Sequence, residues 1–187
     1  MRIISGDLKG KSINFLKSSI TRPLKDSVRE NIFNILNHSN LIDVKLAKAN
    51  ILDLYSGIGS FGLECLSRGS SKVTFAENYN NALIILKKNI SNLNFQDSAL
   101  IIENNILDDL NFKNFGDKFD IIFVDPPYKE TKLSILLVDI INSNILKKNG
   151  IIIVHRHKKE EDKLPEKFKI LEKKSYGISK IIFGSHY

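Results

Sequence analysis

The sequence has few of the residues that support redox, metal or membrane chemistry. Its 187 residues include one cysteine, four histidines and no tryptophan. The single thiol, Cys65, has no partner for an internal disulfide. The histidines show no metal-ligand spacing, and no apolar run approaches the ~20 residues that span a bilayer. The amino end lacks the apolar core of a signal peptide. We therefore expect a soluble cytoplasmic protein without metal. We also expect a monomer, although none of these features bears on the oligomeric state.

Positive charge is concentrated at the two ends of the chain. Residues 1–50 hold nine Lys and Arg against four Asp and Glu, whereas residues 51–155 hold ten against twelve. Residues 156–187 hold nine against five, so the two ends carry +5 and +4 and the middle −2, which gives the formal net charge of +7. Basic ends around a near-neutral middle favour a polyanionic partner. The alternative is a lysine-rich surface that is merely solvated.

The middle of the chain alternates between strand-like and helix-like segments. Strands are predicted at residues 50–55, 72–77, 100–102, 119–124 and 151–154, the last after a Lys-Asn-Gly stop, and helices at 60–68, 81–93 and 132–141. The strands are continuously apolar rather than alternating, which is typical of strands buried on both faces. This pattern predicts an α/β fold with a parallel sheet between layers of helices.

The two ends have a different organisation. Residues 2–5 and 11–15 flank a glycine-containing turn, which predicts a hairpin, and a helix follows from about residue 26 to residue 36. Near the carboxyl end, residues 168–176 and 179–183 predict a closing hairpin without a helix. We divide the chain into an extension, residues 1–40, and a main domain, residues 41–187.

A glycine-rich turn follows the first central strand. Gly57 and Gly59 lie between that strand and its helix, where glycines let the backbone approach a ligand. The pattern alone also fits a nicotinamide or flavin site. Asp53 at the strand end could bind the amino acid portion of a sulfonium cofactor, and Glu77, ending the second strand, could bind both ribose hydroxyls. A charge within the first strand is unlike dinucleotide folds, so we predict S-adenosylmethionine as the cofactor.

Two other residues are candidates for the cofactor site. Tyr55 belongs to the same turn as the glycines, and Asn105 follows the third strand, where it could meet the adenine edge. An ordinary loop asparagine is an equally good interpretation of Asn105. We interpret His155-Arg156-His157, after the fifth strand, as a solvated strand end rather than a phosphate contact.

The fourth central strand ends in Asp125-Pro126-Pro127-Tyr128. An exocyclic amine of a nucleobase is a poor nucleophile because its lone pair is delocalised into the ring. A carboxylate oxygen of Asp125 and the Pro126 carbonyl can accept its two N–H bonds and draw the lone pair outward. The prolines stiffen the turn, and Tyr128 can stack on the base. This tetrapeptide predicts methyl transfer to a base amine, with positioning supplying most of the acceleration.

Four blocks of the sequence resemble the RsmD family, the 16S ribosomal RNA (guanine(966)-N2) methyltransferases. The blocks are residues 1–6 with Gly10-Lys11, Thr21-Arg22-Pro23 with residues 28–36, residues 53–68, and residues 125–128. The resemblance implies a class I S-adenosylmethionine-dependent methyltransferase fold, which is Rossmann-like. That fold has a mostly parallel seven-stranded sheet, a carboxyl-terminal antiparallel hairpin and here a small amino-terminal hairpin and helix. It also implies methylation of a guanine N2 amine in small-subunit ribosomal RNA, free or in an assembling 30S particle.

The amino-terminal hairpin is the part that the resemblance assigns to RNA binding. Arg22 and Arg29 are the predicted phosphate contacts, followed by Lys9 and Lys11. The alternative for Arg29 is an ion pair with a nearby acid.

Three other functions fit part of the sequence. A DNA adenine-N6 or cytosine-N4 methyltransferase uses the same tetrapeptide, but 187 residues leave little room for a target-recognition domain. A non-catalytic RNA-binding module explains the basic ends but not residues 125–128 beside a glycine-rich turn. A nicotinamide oxidoreductase fits the glycines alone.

Overall fold

A computed structural model of the protein describes residues 1–16, 24–107, 111–116 and 118–186. Its strands are β1 (Asn50–Leu54), β2 (Lys72–Ala76), β3 (Ala99–Ile102), β4 (Phe119–Val124), β5 (Leu146–His157), β6 (Phe168–Tyr176) and β7 (Ser179–His186). Its helices are α1 (Asp26–His38), α2 (Ser60–Ser67), α3 (Asn80–Asn92) and α4 (Leu133–Asn142), with a short 3-10 helix at Phe112–Asn114. The strands form one sheet in the order β3-β2-β1-β4-β5-β7-β6.

Strands β1 to β5 are parallel to one another, and β7 is antiparallel to both β5 and β6. Alternate residues of the central strands belong to two hydrophobic clusters: Ile51 packs with α1, α2 and α3, whereas Leu52 packs with α4 and Phe112. Burial on both faces explains why these strands are continuously apolar. The predicted α/β fold, with its mostly parallel seven-stranded sheet and closing hairpin, is confirmed.

The order of strands reverses between β1 and β4. The chain proceeds outward from β1 to β2 and β3, and then returns to form β4 on the other side of β1. Ligands of open α/β sheets bind beyond the carboxyl ends of the strands at such a reversal. Two loops lie at this position: the glycine-rich loop, residues 55–59, after β1, and the Asp125 loop, residues 125–130, after β4. The Asp125 amide donates to the Leu54 carbonyl across the reversal, over 3.3 Å.

The amino-terminal hairpin is shorter than the sequence predicts. Its two flanks pair through one bridge, Arg2 with Ser12, and a few adjoining backbone hydrogen bonds. The amides of Ile4 and Ser5 donate instead to the buried Glu64 carboxylate in α2, at 2.8 and 2.9 Å. This competition from a side chain ends the ladder early, because a carboxylate acceptor forms stronger hydrogen bonds than a neutral carbonyl.

The extension packs directly on the main domain. Gly6 has φ +81°, and a Cβ at this position would lie 1.8 Å from the Ser67 carbonyl oxygen, so only glycine fits this turn. Phe33 of α1 stacks on Phe61 of α2 at 5.4 Å, and Phe61 stacks on Phe123 of β4 at 4.0 Å. The two predicted parts therefore share one hydrophobic cluster. The division at residue 40 stays a prediction.

Strand β5 is longer at both ends than the predicted 151–154. Its pairing with β4 moves from Phe119 opposite Leu146 to Ile121 opposite Ile151, so the expected Lys-Asn-Gly stop is a bulge within the strand. At its other end β5 continues through His155 and Arg156 because β7 pairs with it there. The interpretation of this end as solvated is wrong, since both side chains are buried.

The described residues offer little support for thiol, metal or membrane chemistry. Cys65 is buried in α2, and burial raises the pKa of its thiol well above the usual range, which keeps the thiol protonated. Among the described residues no three His, Cys, Asp or Glu side chains gather as a metal site. In the same part of the chain, no helix has the length and apolarity to cross a membrane.

Candidate active site

The glycine-rich loop turns sharply between β1 and α2. Gly57 and Gly59 have φ values of 55° and 85°, in the left-handed region that favours glycine. A Cβ at Gly59 would approach a Leu86 methyl group to 2.5 Å. Tyr55 also has positive φ, 58°, although it is not a glycine. The loop thus has a special conformation at three positions next to the strand reversal, which is consistent with close backbone contact to a ligand.

Glu77 holds the glycine-rich loop in place through hydrogen bonds with backbone N–H groups. One carboxylate oxygen accepts the Gly57 N–H at 2.8 Å, and the other accepts the N–H groups of Asn78 and Tyr79 at 2.9 and 2.8 Å. An ionised carboxylate has about four lone-pair positions, so these bonds use most of its capacity. Binding both ribose hydroxyls would require the Gly57 N–H to give way. The ribose role of Glu77 stays a prediction, and its structural role is the loop brace.

Asp53 is a buried carboxyl group at the end of β1. Its Oδ2 accepts the Gly62 N–H at 3.0 Å, from the first turn of α2. Burial raises the pKa of Asp53 well above its ordinary value. The Gly62 N–H opposes that shift, whereas the nearby charges of Asp125 and Glu77 add to it. Three carboxyl groups therefore converge at the strand reversal, an arrangement that favours a cationic ligand.

Replacing Asp53 with asparagine should make the protein more stable but weaken its binding of the cofactor. Because its folded pKa lies above the ordinary 3.8, folding stability falls as pH rises from 3.8 through the folded pKa. Asp53→Asn keeps an oxygen for the Gly62 N–H but cannot ionise. We expect the ligand-free variant to have a larger free energy of unfolding at neutral pH, and a roughly 10-fold or greater loss of S-adenosylmethionine affinity. Denaturant titrations across pH and calorimetric binding measure both quantities. Unchanged affinity would contradict the cofactor role of Asp53.

The Asp125 loop presents acceptor groups beside the glycine-rich loop. Oδ1 of Asp125 lies 2.7 Å from Nδ1 of His155. The Pro127 carbonyl accepts from the Glu130 amide at 2.8 Å and from Arg156 at 3.0 Å. No hydrogen bond from the described part of the chain occupies Oδ2 of Asp125 or the Pro126 carbonyl. These are the two acceptors that the sequence assigns to the substrate amine.

Arg156 clamps this loop, a role that the sequence did not reveal. Its guanidinium is only 1% exposed and donates to the carbonyls of Pro127 and Glu130, at 3.0 and 2.8 Å. It also forms a bidentate pair with Asp162, with N–O distances of 2.8 to 3.1 Å. Such a pair is strong and directional. The sequence shows only a charged residue next to a long apolar run. It does not show what Arg156 binds, because that depends on which strand lies beside β5.

Tyr128 packs edge to face against two histidine rings. The ring centroids of Tyr128 and His157 are 5.2 Å apart, and those of Tyr128 and His155 are 6.3 Å apart, with interplanar angles of 70° and 71°. Edge-to-face packing is the favoured geometry of aromatic pairs. The histidines therefore fix the ring beside the loop, and stacking of Tyr128 on a base stays a prediction.

Asn89 of α3 connects the extension to the glycine-rich loop. Its Oδ1 accepts the Asn14 amide at 2.8 Å, and its Nδ2 donates to the carbonyls of Asn14 and Ile58 at 3.0 and 3.1 Å. The residue is buried among apolar neighbours of the helix, so each of these bonds offsets a desolvation cost. Helical spacing alone places Asn89 on the packed side but does not identify its partners.

Asn105, the predicted adenine contact, accepts the Leu107 amide at 3.1 Å within its own loop, and its adenine contact stays a prediction.

The structure describes three of the four predicted RNA contacts, of which the two lysines are exposed and Arg29 is buried. Lys9 and Lys11 lie exposed on the amino-terminal hairpin, near the exposed Arg2. Arg22 lies outside the residues that the structure describes, as does the rest of Thr21-Arg22-Pro23. The exposed lysines are available to a phosphate backbone.

Arg29 is a correction to the predicted phosphate contacts. Its guanidinium is fully buried and donates to the carbonyls of Arg2 and Ser60 and to the Asp26 carboxylate. It also lies 3.8 Å from Glu64. Burial lowers the pKa of Arg29, and the charges of Glu64 and Asp26 oppose that shift. A guanidinium enclosed in this way does not reach a phosphate, so the ion-pair alternative is what the structure contains.

Comparisons with known proteins extend over both parts of the chain. The family model described as conserved hypothetical protein 95 matches residues 1–185. "Ribosomal RNA small subunit methyltransferase D" of Haemophilus influenzae is 33% identical over 179 residues, which are 95% of this chain and 90% of that protein. The protein of the same name from Buchnera aphidicola is 34% identical over 174 residues, with coverage of 92% and 86%. The structure "Putative methyltransferase yhhF from Escherichia coli" superimposes with a TM-score of 0.80 at 26% identity, covering 100% of this chain and 97% of that one.

Proposed function

Since this chain belongs to the RsmD methyltransferase family, described also as conserved hypothetical protein 95, we propose that it methylates the exocyclic N2 amine of a guanine in small-subunit ribosomal RNA. The methyl donor in this proposal is S-adenosylmethionine. The family and the class I fold support a cofactor of this type. The guanine and its N2 atom come from the resemblance of the sequence, and the residues below supply the physical argument.

The observation that carries the proposal is the juxtaposition of two loops. The glycine-rich loop and the Asp125 loop follow adjacent parallel strands at the reversal of strand order. A ligand in the crevice between them contacts both loops at once. A cofactor held by the first loop and a base held by the second would therefore meet at the carboxyl ends of β1 and β4. Proximity of this kind is the main requirement of an in-line methyl transfer.

The residues around the glycine-rich loop fit S-adenosylmethionine. This cofactor supplies a methyl group that is activated by a positively charged sulfur. Asp53 and Glu77 supply carboxyl groups for a cationic ligand; burial raises the pKa of Asp53, and the nearby charges of Asp125 and Glu77 add to that shift. The positive-φ conformation of Gly57 and Gly59 permits close backbone contact. We assign Tyr55 to the same site and Asn105 to the adenine edge.

The Asp125 loop supplies the groups that bind the substrate amine. Oδ2 of Asp125 accepts one amine N–H and the Pro126 carbonyl accepts the other, which draws the nitrogen lone pair toward the methyl group. Tyr128 stacks on the base face. As the new N–C bond forms, the bond between the methyl carbon and the sulfonium sulfur would break, and S-adenosylhomocysteine would leave. The amine would then carry one proton too many, and Oδ2 of Asp125 is the acceptor already in contact with it. Pro127 fixes the backbone of the loop together with Arg156.

The basic ends supply the attraction for RNA. The exposed Lys9 and Lys11 on the amino-terminal hairpin, with Arg22, bind phosphates in this proposal, and the substrate is ribosomal RNA or an assembling 30S particle. Phosphate contacts fix register, and the amine-binding loop then selects the base. The cytoplasmic location and the monomeric state stay predictions.

The function is tested by transfer of labelled methyl groups from S-adenosylmethionine to small-subunit RNA and 30S particles that lack the modification. Nucleoside analysis of the product is expected to give N2-methylguanine. Methylated adenine-N6 or cytosine-N4 in a parallel DNA reaction would support the DNA methyltransferase alternative instead. Cofactor titration with a nicotinamide dinucleotide tests the oxidoreductase alternative. Absence of label in every nucleic acid would sink the proposal, and label on another guanine atom would sink its N2 assignment.

A further inference from the structure

A chain of hydrogen bonds runs from Asp125 across two strands. His155 of β5 has Nδ1 at 2.7 Å from Oδ1 of Asp125 and Nε2 at 2.9 Å from Oγ of Ser179 in β7. His155 and Ser179 are 6% and 4% exposed, so neither side chain is available to a large substrate. The proposed transfer uses Asp125 directly but gives no role to the other two residues.

The chemistry of the three groups determines the direction of the hydrogen bonds. An ionised carboxylate only accepts, so the hydrogen between Asp125 and His155 belongs to Nδ1 of the imidazole. In a neutral ring Nε2 is then an acceptor, and the Ser179 hydroxyl donates to it. A protonated ring donates from both nitrogens, and the same hydroxyl turns to accept. Ser179 therefore holds the ring in one orientation in either protonation state.

The three groups lie in the same order as the Asp, His and Ser of a hydrolase triad. Here, however, the exposed group is the aspartate rather than the serine. In a triad the serine attacks the substrate and the aspartate is buried. Here Ser179 is buried in a strand, whereas the Asp125 side chain is 21% exposed at the mouth of the site. The geometry therefore favours action on Asp125 rather than a nucleophilic serine.

We propose that His155 is a positioning residue for Asp125: it occupies Oδ1 and fixes the carboxylate so that Oδ2 binds the substrate amine. This inference rests on the proposed methyl transfer. A carboxylate free to rotate about its Cβ–Cγ bond would offer the amine many orientations, and misplacement of a reacting group is costly in rate. Arg156, the next residue of β5, holds the Pro127 carbonyl of the same loop. Successive strand residues point to opposite faces, so the loop is fixed from both sides.

Three substitutions of His155 test this role. His155→Asn keeps a nitrogen attached to Cγ, where Nδ1 is, and can still donate to Asp125. His155→Gln places its nitrogen one bond farther along the side chain, toward the Ser179 end, and His155→Phe has no donor. We expect kcat to fall about 10- to 100-fold in the Gln and Phe variants, with recovery of most of the activity in the Asn variant. The KM for RNA and the Kd for S-adenosylmethionine should change less than about threefold, because the missing hydrogen bond acts on the carboxylate geometry in the transition state.

The controls separate this inference from the proposed function and from misfolding. His38→Phe makes the same chemical change at an exposed position at the end of α1 and should leave kcat unchanged. Thermal unfolding identifies any unfolded variant, and if the Phe variant is lost, the comparison of Asn with Gln decides the result. Wild-type activity of the folded Gln or Phe variant, equal losses in folded Asn and Gln variants, or a change in KM alone would overturn the role of His155. An inactive wild-type protein would instead reject the proposed function.

Discussion

Replacing Asp125 with alanine is expected to abolish methyl transfer and to leave S-adenosylmethionine binding within about threefold of the wild type. The carboxylate accepts one N–H of the substrate amine in our proposal, and removal of one well-placed hydrogen-bonding group at a reacting atom costs about 10²- to 10³-fold in kcat. The proposed cofactor contacts of Asp53 and Glu77 remain, since Asp53 lies in β1 and Glu77 directly follows β2. Single-turnover methylation and calorimetric cofactor binding measure the two effects separately.

Two comparison variants define the interpretation of this experiment. Asp125→Asn retains one oxygen acceptor, which faces the amine when its NH2 donates to Nδ1 of the other His155 tautomer. It should therefore keep part of the activity, and the series Asp, Asn, Ala should decline in that order. Asp139→Ala removes an exposed carboxylate of α4 and should have wild-type kinetics. If Asp125→Ala loses cofactor affinity as much as rate, Asp125 belongs to the cofactor site and our assignment of its role is mistaken.

Replacing Glu64 with alanine is expected to lower the free energy of unfolding by about 3–5 kcal/mol. The carboxylate is fully buried, accepts two backbone N–H groups of the extension and pairs with Arg68 at 2.8 Å. One of its oxygens also lies 3.8 Å from the Nε atom of the fully buried Arg29. Removing one partner of a buried charge pair leaves the other desolvated and uncompensated, which is the expensive case. Urea unfolding, with its slope compared between variants, gives the change in stability.

The matched control for Glu64 is Glu30, an exposed acid on α1. Glu30→Ala should change the free energy of unfolding by less than about 0.5 kcal/mol. Amide hydrogen exchange adds a local readout, because the N–H groups of Ile4 and Ser5 lose their acceptor in Glu64→Ala and should exchange faster than in the control. A Glu64→Ala protein as stable as the Glu30→Ala protein would refute the structural role that we assign to this network.

Hydrogen bonds as well as packing join the extension to the candidate active site. Glu64 and Asn89 bind opposite flanks of the amino-terminal hairpin, and Asn89 also binds the Ile58 carbonyl of the glycine-rich loop. Asn89 therefore bridges the extension, whose Lys9 and Lys11 are proposed to bind RNA, to the segment proposed for the cofactor. This connection gives the proposed RNA and cofactor sites a common structural support.

Most of the fold was predictable from the sequence because its signals are local. Apolar runs of strand length, helical spacing between them and glycines at the turns occur within short segments, and they identified every strand of the sheet with small errors at the ends. The exception was β5, where a bulge keeps Lys148-Asn149-Gly150 within the strand. A bulge depends on pairing with β4, which no local pattern encodes.

The sequence by itself determined the α/β fold, the glycine-rich loop and the Asp125-Pro126-Pro127-Tyr128 turn, since each is contained in a contiguous segment. Only the tertiary structure decided which charged side chains are buried and what they bind. Arg29 became part of a buried network with Glu64, and Arg156 became the clamp of the Asp125 loop. His155 became the partner of Asp125 because the strand order puts β5 between β4 and β7. A charged residue finds its partner through strand order and register, and those are properties of the whole chain.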